Sequence, residues 1–235
     1  MFNKIIHYNY KDFLIGFLAI IIYFLLSICE TIPLEIAGVD IDSLSYTIKV
    51  IYLIIYEIFI MATILLIFNK KIKKDFKDIL INHKEYYSKY FKVWLIGLAV
   101  MLLSNAFIVF ILDNNIAGNE TTIRSLFEIS PIYIYLSSVI YAPIVEELVF
   151  RQGIRNIFGK NILFILISGV IFGGLHVIGN ITNPIDLLYL IPYSSLGVAF
   201  AYMLYKTDNI FVSMGFHFLH NGILISLQFL TLLFS

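Results

Sequence analysis

PIYIYLSSVIYAPIVEELVFRQGIRNIF, residues 131–158, reads as one apolar helix that ends in charge. Ser130 is a natural N-cap and Pro131 a natural first helical residue, so the helix is expected to begin sharply there. Pro143 then falls in mid-helix, where it removes a backbone hydrogen bond and can bend the chain just before Glu146 and Glu147. Such a bend makes room for water or substrate, although a packing kink would look the same. An ionisable side chain at the centre of a bilayer costs roughly 2.5–3.5 kcal/mol on insertion scales, so acids within an apolar helix point to function by default.

The remainder of the chain has the same character. Of its 235 residues 60% are hydrophobic and 14% charged, and its mean hydropathy is +0.90, too apolar for a domain whose surface must be wetted. Apolar runs long enough to cross roughly 30 Å of hydrocarbon occur at 13–29, 47–68, 93–112, 131–150, 161–178, 187–205 and 210–234. The fold class expected is therefore all-α, a polytopic transmembrane bundle of about seven spans. Lys4 and Lys11 precede the first run as they would a signal peptide, but Glu30 to Gly38 contains no clear small-residue cleavage site, so the run reads as a retained anchor. Cys29 stands alone and offers neither a disulfide framework nor a Cys-based metal site. No nucleic-acid partner is expected, and the lipid bilayer is the obligatory one.

Basic residues collect on the cytoplasmic side of short loops. Lys4 and Lys11 lie before the first span, Lys70, Lys71, Lys73, Lys74, Lys77, Lys84, Lys89 and Lys92 follow the second, Arg151, Arg155 and Lys160 follow the fourth, and Lys206 follows the sixth. The other side receives Lys49 and Arg124 against Glu30, Glu35, Asp40, Asp42, Asp113, Glu120 and Glu128. This pattern predicts a multi-pass cell-membrane protein with a cytoplasmic N-terminus and an external C-terminus. The basic loop at 69–92 reads as a solvated topology anchor that touches anionic lipid. No linker or repeat divides the chain, so residues 1–130 are expected to form a scaffold of three spans with this loop, and 131–235 a catalytic core.

The later spans hold the polar residues. Measured by helical rise from the basic ends, Glu146 lies roughly 18 Å up the fourth span, His176 roughly 22 Å up the fifth, and His217 and Asn221 roughly 11 and 17 Å up the seventh. Side chains from three helices thus reach overlapping depth. Glu147 and Arg151 are four apart with the acid first, the favourable order for an ion pair on one helix face. Glu146 points about 100° away from Glu147 and is free to face the bundle as a proton-transferring group. His217 and Asn221 share one face, with His220 on nearly the same side, and can donate hydrogen bonds to a developing oxyanion. Equally, Glu146, His176 and His217 make a three-ligand set for zinc or another divalent metal with one open position, although no His-Glu-x-x-His helix is present. Gly173 and Gly174 suit close helix approach, and Glu57, deep in the second span, suits a structural hydrogen bond. His220 receives no catalytic role.

Glu146-Glu147-x-x-x-Arg151, Phe172-x-x-x-His176 and His217-x-x-x-Asn221, in this order on successive helices, resemble the CAAX-protease and bacteriocin-processing (Abi) family of intramembrane endopeptidases over roughly residues 131–221. The resemblance implies that Glu146 activates the attacking water with His176, that His217 and Asn221 bind the oxyanion or help hold a metal, and that Glu147 and Arg151 support the site. It leaves open a metalloprotease or a glutamate-dependent mechanism without metal. It implies peptide or membrane-protein substrates and, for a short Ile-, Lys- and Asn-rich chain, a bacterial member acting in peptide maturation, bacteriocin self-immunity or control of membrane signalling. Two rival readings stand beside it. One is a non-proteolytic member that confers immunity or regulates a sensor kinase; the other is a proton-coupled transporter, for which paired halves with broken helices are missing.

Overall fold

The computed structural model describes residues 9–111 and 117–234. Lys4 and Asp113, invoked above for topology, lie outside these residues. Among the described residues, seven helices are long and apolar enough to cross a membrane: Tyr10–Ile28, Tyr46–Ile67, Asn69–Ile111, Pro131–Phe158, Ile162–Asn180, Pro184–Thr207 and Ile210–Thr231, hereafter the first to seventh spans. They are the seven expected runs. Their outer faces carry large apolar side chains, with Phe110 84%, Leu103 72% and Ile132 72% exposed, an arrangement that a lipid solvent stabilises and water does not.

The stretch 69–92 corrects an expectation, because it is helix and not loop. Asn69–Ile111 is a continuous helix of 43 residues, about 65 Å long by its rise and so about twice the hydrocarbon thickness. No Gly or Pro interrupts residues 69–96, and Ile79, Tyr90 and Trp94 recur at helical spacing to bury one face against Val212 and Phe216 of the seventh span. The many lysines occupy the remaining faces. Asp75, 1% exposed, accepts from the Ile210 N–H at 2.8 Å, while the Asn209 amide donates to the Asp75 carbonyl at 2.8 Å and to the Asp78 carboxylate at 2.7 Å. Twelve residues further along, the Tyr87 hydroxyl donates to the Phe211 carbonyl at 3.0 Å. Asp75 and Tyr87 are about 18 Å apart along their helix, yet their partners are adjacent residues, so this helix crosses the foot of the seventh span steeply.

At the same foot, Asp208 occupies a left-handed turn (φ 55°) between the sixth and seventh spans and pairs with Arg155, with Lys71 at 3.3 Å and with Lys74 at 3.8 Å. Arg155 lies in the last turn of the fourth span, and Lys71 and Lys74 in the first turns of the third, so the connections after the second, fourth and sixth spans share one end of the bundle, as seven alternating crossings require. Partial burial works to raise the Asp208 pKa, but the Arg155 hydrogen bond and charge, followed by Lys71, outweigh it and bring the carboxyl down to about 2. A pKa below the ordinary value adds stability above about pH 4 that is lost as the pH falls towards 2. Asp208→Asn keeps a residue that tolerates the left-handed turn but removes the charge. It is expected to cost about 1 kcal/mol near neutrality, since the carboxylate is partly solvent-screened. Thermal unfolding in detergent at pH 7 and near pH 2.5 checks this, with a smaller difference from the parent at the lower pH.

Small residues set the packing around the site. A Cβ on Gly169 would lie 2.4 Å from Val198 Cγ2, and one on Gly173 would lie 2.9 Å from the Ser194 nitrogen, so the fifth and sixth spans meet nearly backbone to backbone. Gly16 of the first span approaches the Gly153 carbonyl as closely, which ties that span directly to the site-bearing helix. Glu57 of the second span accepts from Ser137 at 2.7 Å and Tyr133 at 3.2 Å, both on the fourth.

The fourth span is not uniform. α-Helical turns at Pro131–Tyr135, Ala142–Glu146 and Ile154–Phe158 alternate with π-helical turns at Leu136–Tyr141 and Glu147–Gly153. The wider turns flank Pro143, in keeping with the disturbance expected there. Ser130 holds the N-cap position without a capping bond from its side chain, and it also closes a further helix, Gly118–Ile129. That helix was not legible as one; its signal was the Glu120–Arg124 pair at i,i+4.

Candidate active site

The fourth span presents Glu146, Glu147 and Arg151 to the seventh, and the π-helical turn beginning at Glu147 carries both members of the expected pair. Glu147 and Arg151 are fully buried, with Arg151 Nε 3.5 Å from Glu147 Oε1. That is an ion pair without a hydrogen bond. The guanidinium is held instead by ring faces, 4.0 Å from the Phe172 centroid and 5.9 Å from that of Phe200. Its three nitrogens and Glu147 Oε2 have no hydrogen-bond partner among the described residues.

His217 reaches the same acids from the seventh span. Its Nδ1 lies 3.1 Å from Glu147 Oε1, so Nδ1–H donates to the carboxylate and Nε2 is directed away. Nε2 lies 3.9 Å from Glu146 Oε2. That gap is too long for a direct hydrogen bond, but it suits one water about 2.8 Å from each atom. Phe200 stacks on the imidazole at 5.1 Å and Phe172 meets it edge-on at 5.8 Å, which locks its plane. The Glu146 side chain is 20% exposed against 0% for Glu147, so the two adjacent acids occupy different environments, as their helical offset implies. The contact between Glu147 and His217 was not foreseen; sequence spacing paired Glu147 with Arg151 alone.

Two expected members stand differently. His176 donates from Nδ1 to the Phe172 carbonyl at 2.9 Å and stacks on Tyr193 at 5.0 Å. It meets the acids' cluster through the Phe172 ring, 4.5 Å away, and lines a small cleft with Asn180, Asp186 and Tyr193. Its Nε2 remains an acceptor in the neutral ring. Asn221 donates to the Ser138 carbonyl at 2.7 Å, so one of its two amide hydrogens is already engaged. Among the described residues no three His, Cys, Asp or Glu side chains converge to hold a metal ion. Glu146 and His217 are near each other, but the set of Glu146, His176 and His217 does not fit a three-ligand metal as placed.

A bundle of seven apolar helices with buried acids, an arginine and a histidine facing one another defines a polytopic membrane protein with a polar intramembrane centre. Over residues 128–223, the part that carries this centre, the chain matches the family of type II CAAX prenyl endopeptidase Rce1-like proteins. It is 29% identical over 150 residues to the putative membrane peptidase YdiL of Bacillus subtilis, covering 57% of this chain and 58% of that protein. It is 26% identical over 132 residues to the UPF0177 protein YvdC of Lactococcus lactis, covering 54% and 48% respectively. With the membrane-embedded CAAX protease MroQ of Staphylococcus aureus the identity is 28% over 229 residues, 91% of this chain and 88% of that one. The chain thus spans about half the length of the first two relatives and most of the third. No solved structure matches it.

Proposed function

We propose that the protein is an intramembrane endopeptidase in which Glu146 is the general base. The observation that carries this is the 3.9 Å gap between Glu146 Oε2 and His217 Nε2, with the other face of His217 held by Glu147. A water in that gap gives a proton to Glu146, and its oxygen attacks the peptide carbonyl carbon. In its protonated form the imidazole donates from Nε2 to the developing oxyanion, while Glu147 stabilises the imidazolium through Nδ1–H. Glu146 then passes its proton to the leaving nitrogen, the C–N bond breaks, and an acid and an amine result. His176, at the cleft, offers Nε2 to a substrate amide. The family resemblance and the membrane CAAX protease among the relatives support this reading.

The substrates that suit a centre within apolar helices are short hydrophobic peptides or juxtamembrane segments. Because the expected ligand set is not assembled, the reaction as written routes no step through a metal. Purified protein in nanodiscs, challenged with a library of apolar peptides with and without chelator, tests the reading: cleavage is expected in both. Products absent from parent protein under every condition would sink it.

We further propose that the end bearing Lys71, Arg155 and Asp208 faces the cytoplasm, with the N-terminus inside and the C-terminus outside. Reporter fusions after Lys77 and at Ser235 are expected to report opposite sides, and both on one side would contradict the seven-span orientation.

A further inference from the structure

We propose that Asn221 is a positioning residue that replaces the backbone donor Pro143 lacks, latching the seventh span onto the fourth at the Ser138 carbonyl. In the π-helical turn Leu136–Tyr141 each carbonyl is bonded five residues ahead, and the Ala142 N–H duly reaches the Ser137 carbonyl. The next bond in that series would run from residue 143 to Ser138. Residue 143 is proline, which has no N–H, so the Ser138 carbonyl loses its donor. A bare carbonyl within a bilayer finds no water and must be satisfied by protein. The Asn221 side-chain amide supplies that bond at 2.7 Å from another helix.

The consequence lies at the reacting centre. His217 is one turn before Asn221 on the seventh span, and Glu146 is three residues after Pro143 on the fourth. One bond between the helices therefore sets how far His217 Nε2 stands from Glu146 Oε2. The neighbouring Gly222 adds to the docking, since a Cβ there would just touch Val139 at 3.8 Å. The proline does more than bend its helix, because it exposes an acceptor that only a partner helix can fill. The activity consequence rests on the proposed peptidase reading; the latch itself does not.

A double-mutant cycle tests it. Asn221→Ala is expected to lower the thermal midpoint by several degrees and to broaden the distance distribution between spin labels at Ile140→Cys and Leu224→Cys, both on exposed faces, in a Cys29→Ser background. It should also lower kcat about tenfold or more with KM little changed, as loss of alignment without loss of substrate binding does. In a Pro143→Ala background residue 143 regains its N–H, and the same Asn221→Ala change should cost less than half that midpoint shift without further broadening. Equal shifts in both backgrounds would overturn the latch. Asn221→Leu, close in shape but with no donor, should behave like Asn221→Ala; a parent-like distance distribution would overturn the latch even if Pro143→Ala fails to fold. An absence of peptide cleavage in the parent would count against the peptidase reading alone, since midpoint and distances still report on the latch.

Discussion

Glu146→Gln is expected to reduce peptide cleavage by about 10³-fold or more while leaving abundance and thermal midpoint near those of the parent, because an amide keeps the side chain's shape but cannot take a proton from water. The environment of the two adjacent acids decides which of them this prediction concerns. Glu146 is 20% exposed and its Oε2 stands 3.9 Å from His217 Nε2, while Glu147 is sealed and already bonded to Nδ1 of the same ring. Only the former is open to a water and a substrate. Turnover and quantitative immunoblotting of the same membranes check it, and undiminished turnover in Glu146→Gln would remove this residue as the base.

Arg151→Met carries the largest expected loss of stability. Arg151 is 0% exposed and is the fixed cation beside two acids, so its removal leaves Glu147 as a buried anion without its guanidinium partner. Breaking one side of a buried pair typically costs about 3–5 kcal/mol, much more than an exposed pair is worth. Packing adds to the loss, since the guanidinium fills the space over Phe172 at 4.0 Å. Adding Glu147→Gln removes the uncompensated charge, and the double variant is expected to unfold at a higher temperature than Arg151→Met alone. Thermal unfolding in detergent gives the comparison. A single variant as stable as the parent would mean that the pair is not what holds this centre.

The charge centre and the alternating architecture explain each other. Seven crossings place the connections after the second, fourth and sixth spans at one end, where Lys71, Arg155 and Asp208 tie them together. With that end fixed, small residues let the fifth and sixth spans approach closely, and the Phe172 and Phe200 rings they bring in enclose Arg151 and His217. A polar cluster is affordable in an apolar bundle because opposite charges are assembled together: two carboxylates face one guanidinium and, when protonated, one imidazolium.

Some of this was legible along the chain. Hydropathy run length determined the seven spans and the all-helical class, because backbone polar groups in lipid have few ways to be satisfied. Periodicity separated Glu146 from Glu147 and paired Glu147 with Arg151, since side chains four apart on one helix must be neighbours. The same local reasoning failed where charge density was taken for loop at 69–92, because lysines on an outer helix face cost little and the apolar stripe behind them carries the packing. What only the tertiary structure decided lies between helices: that Glu147 holds His217, that His176 stands apart beside Tyr193, and that Asn221 answers a carbonyl bared by Pro143. Helical rise brings residues to a common depth. Rotation and tilt, set by glycine contacts and ring packing over the whole bundle, choose which of them touch.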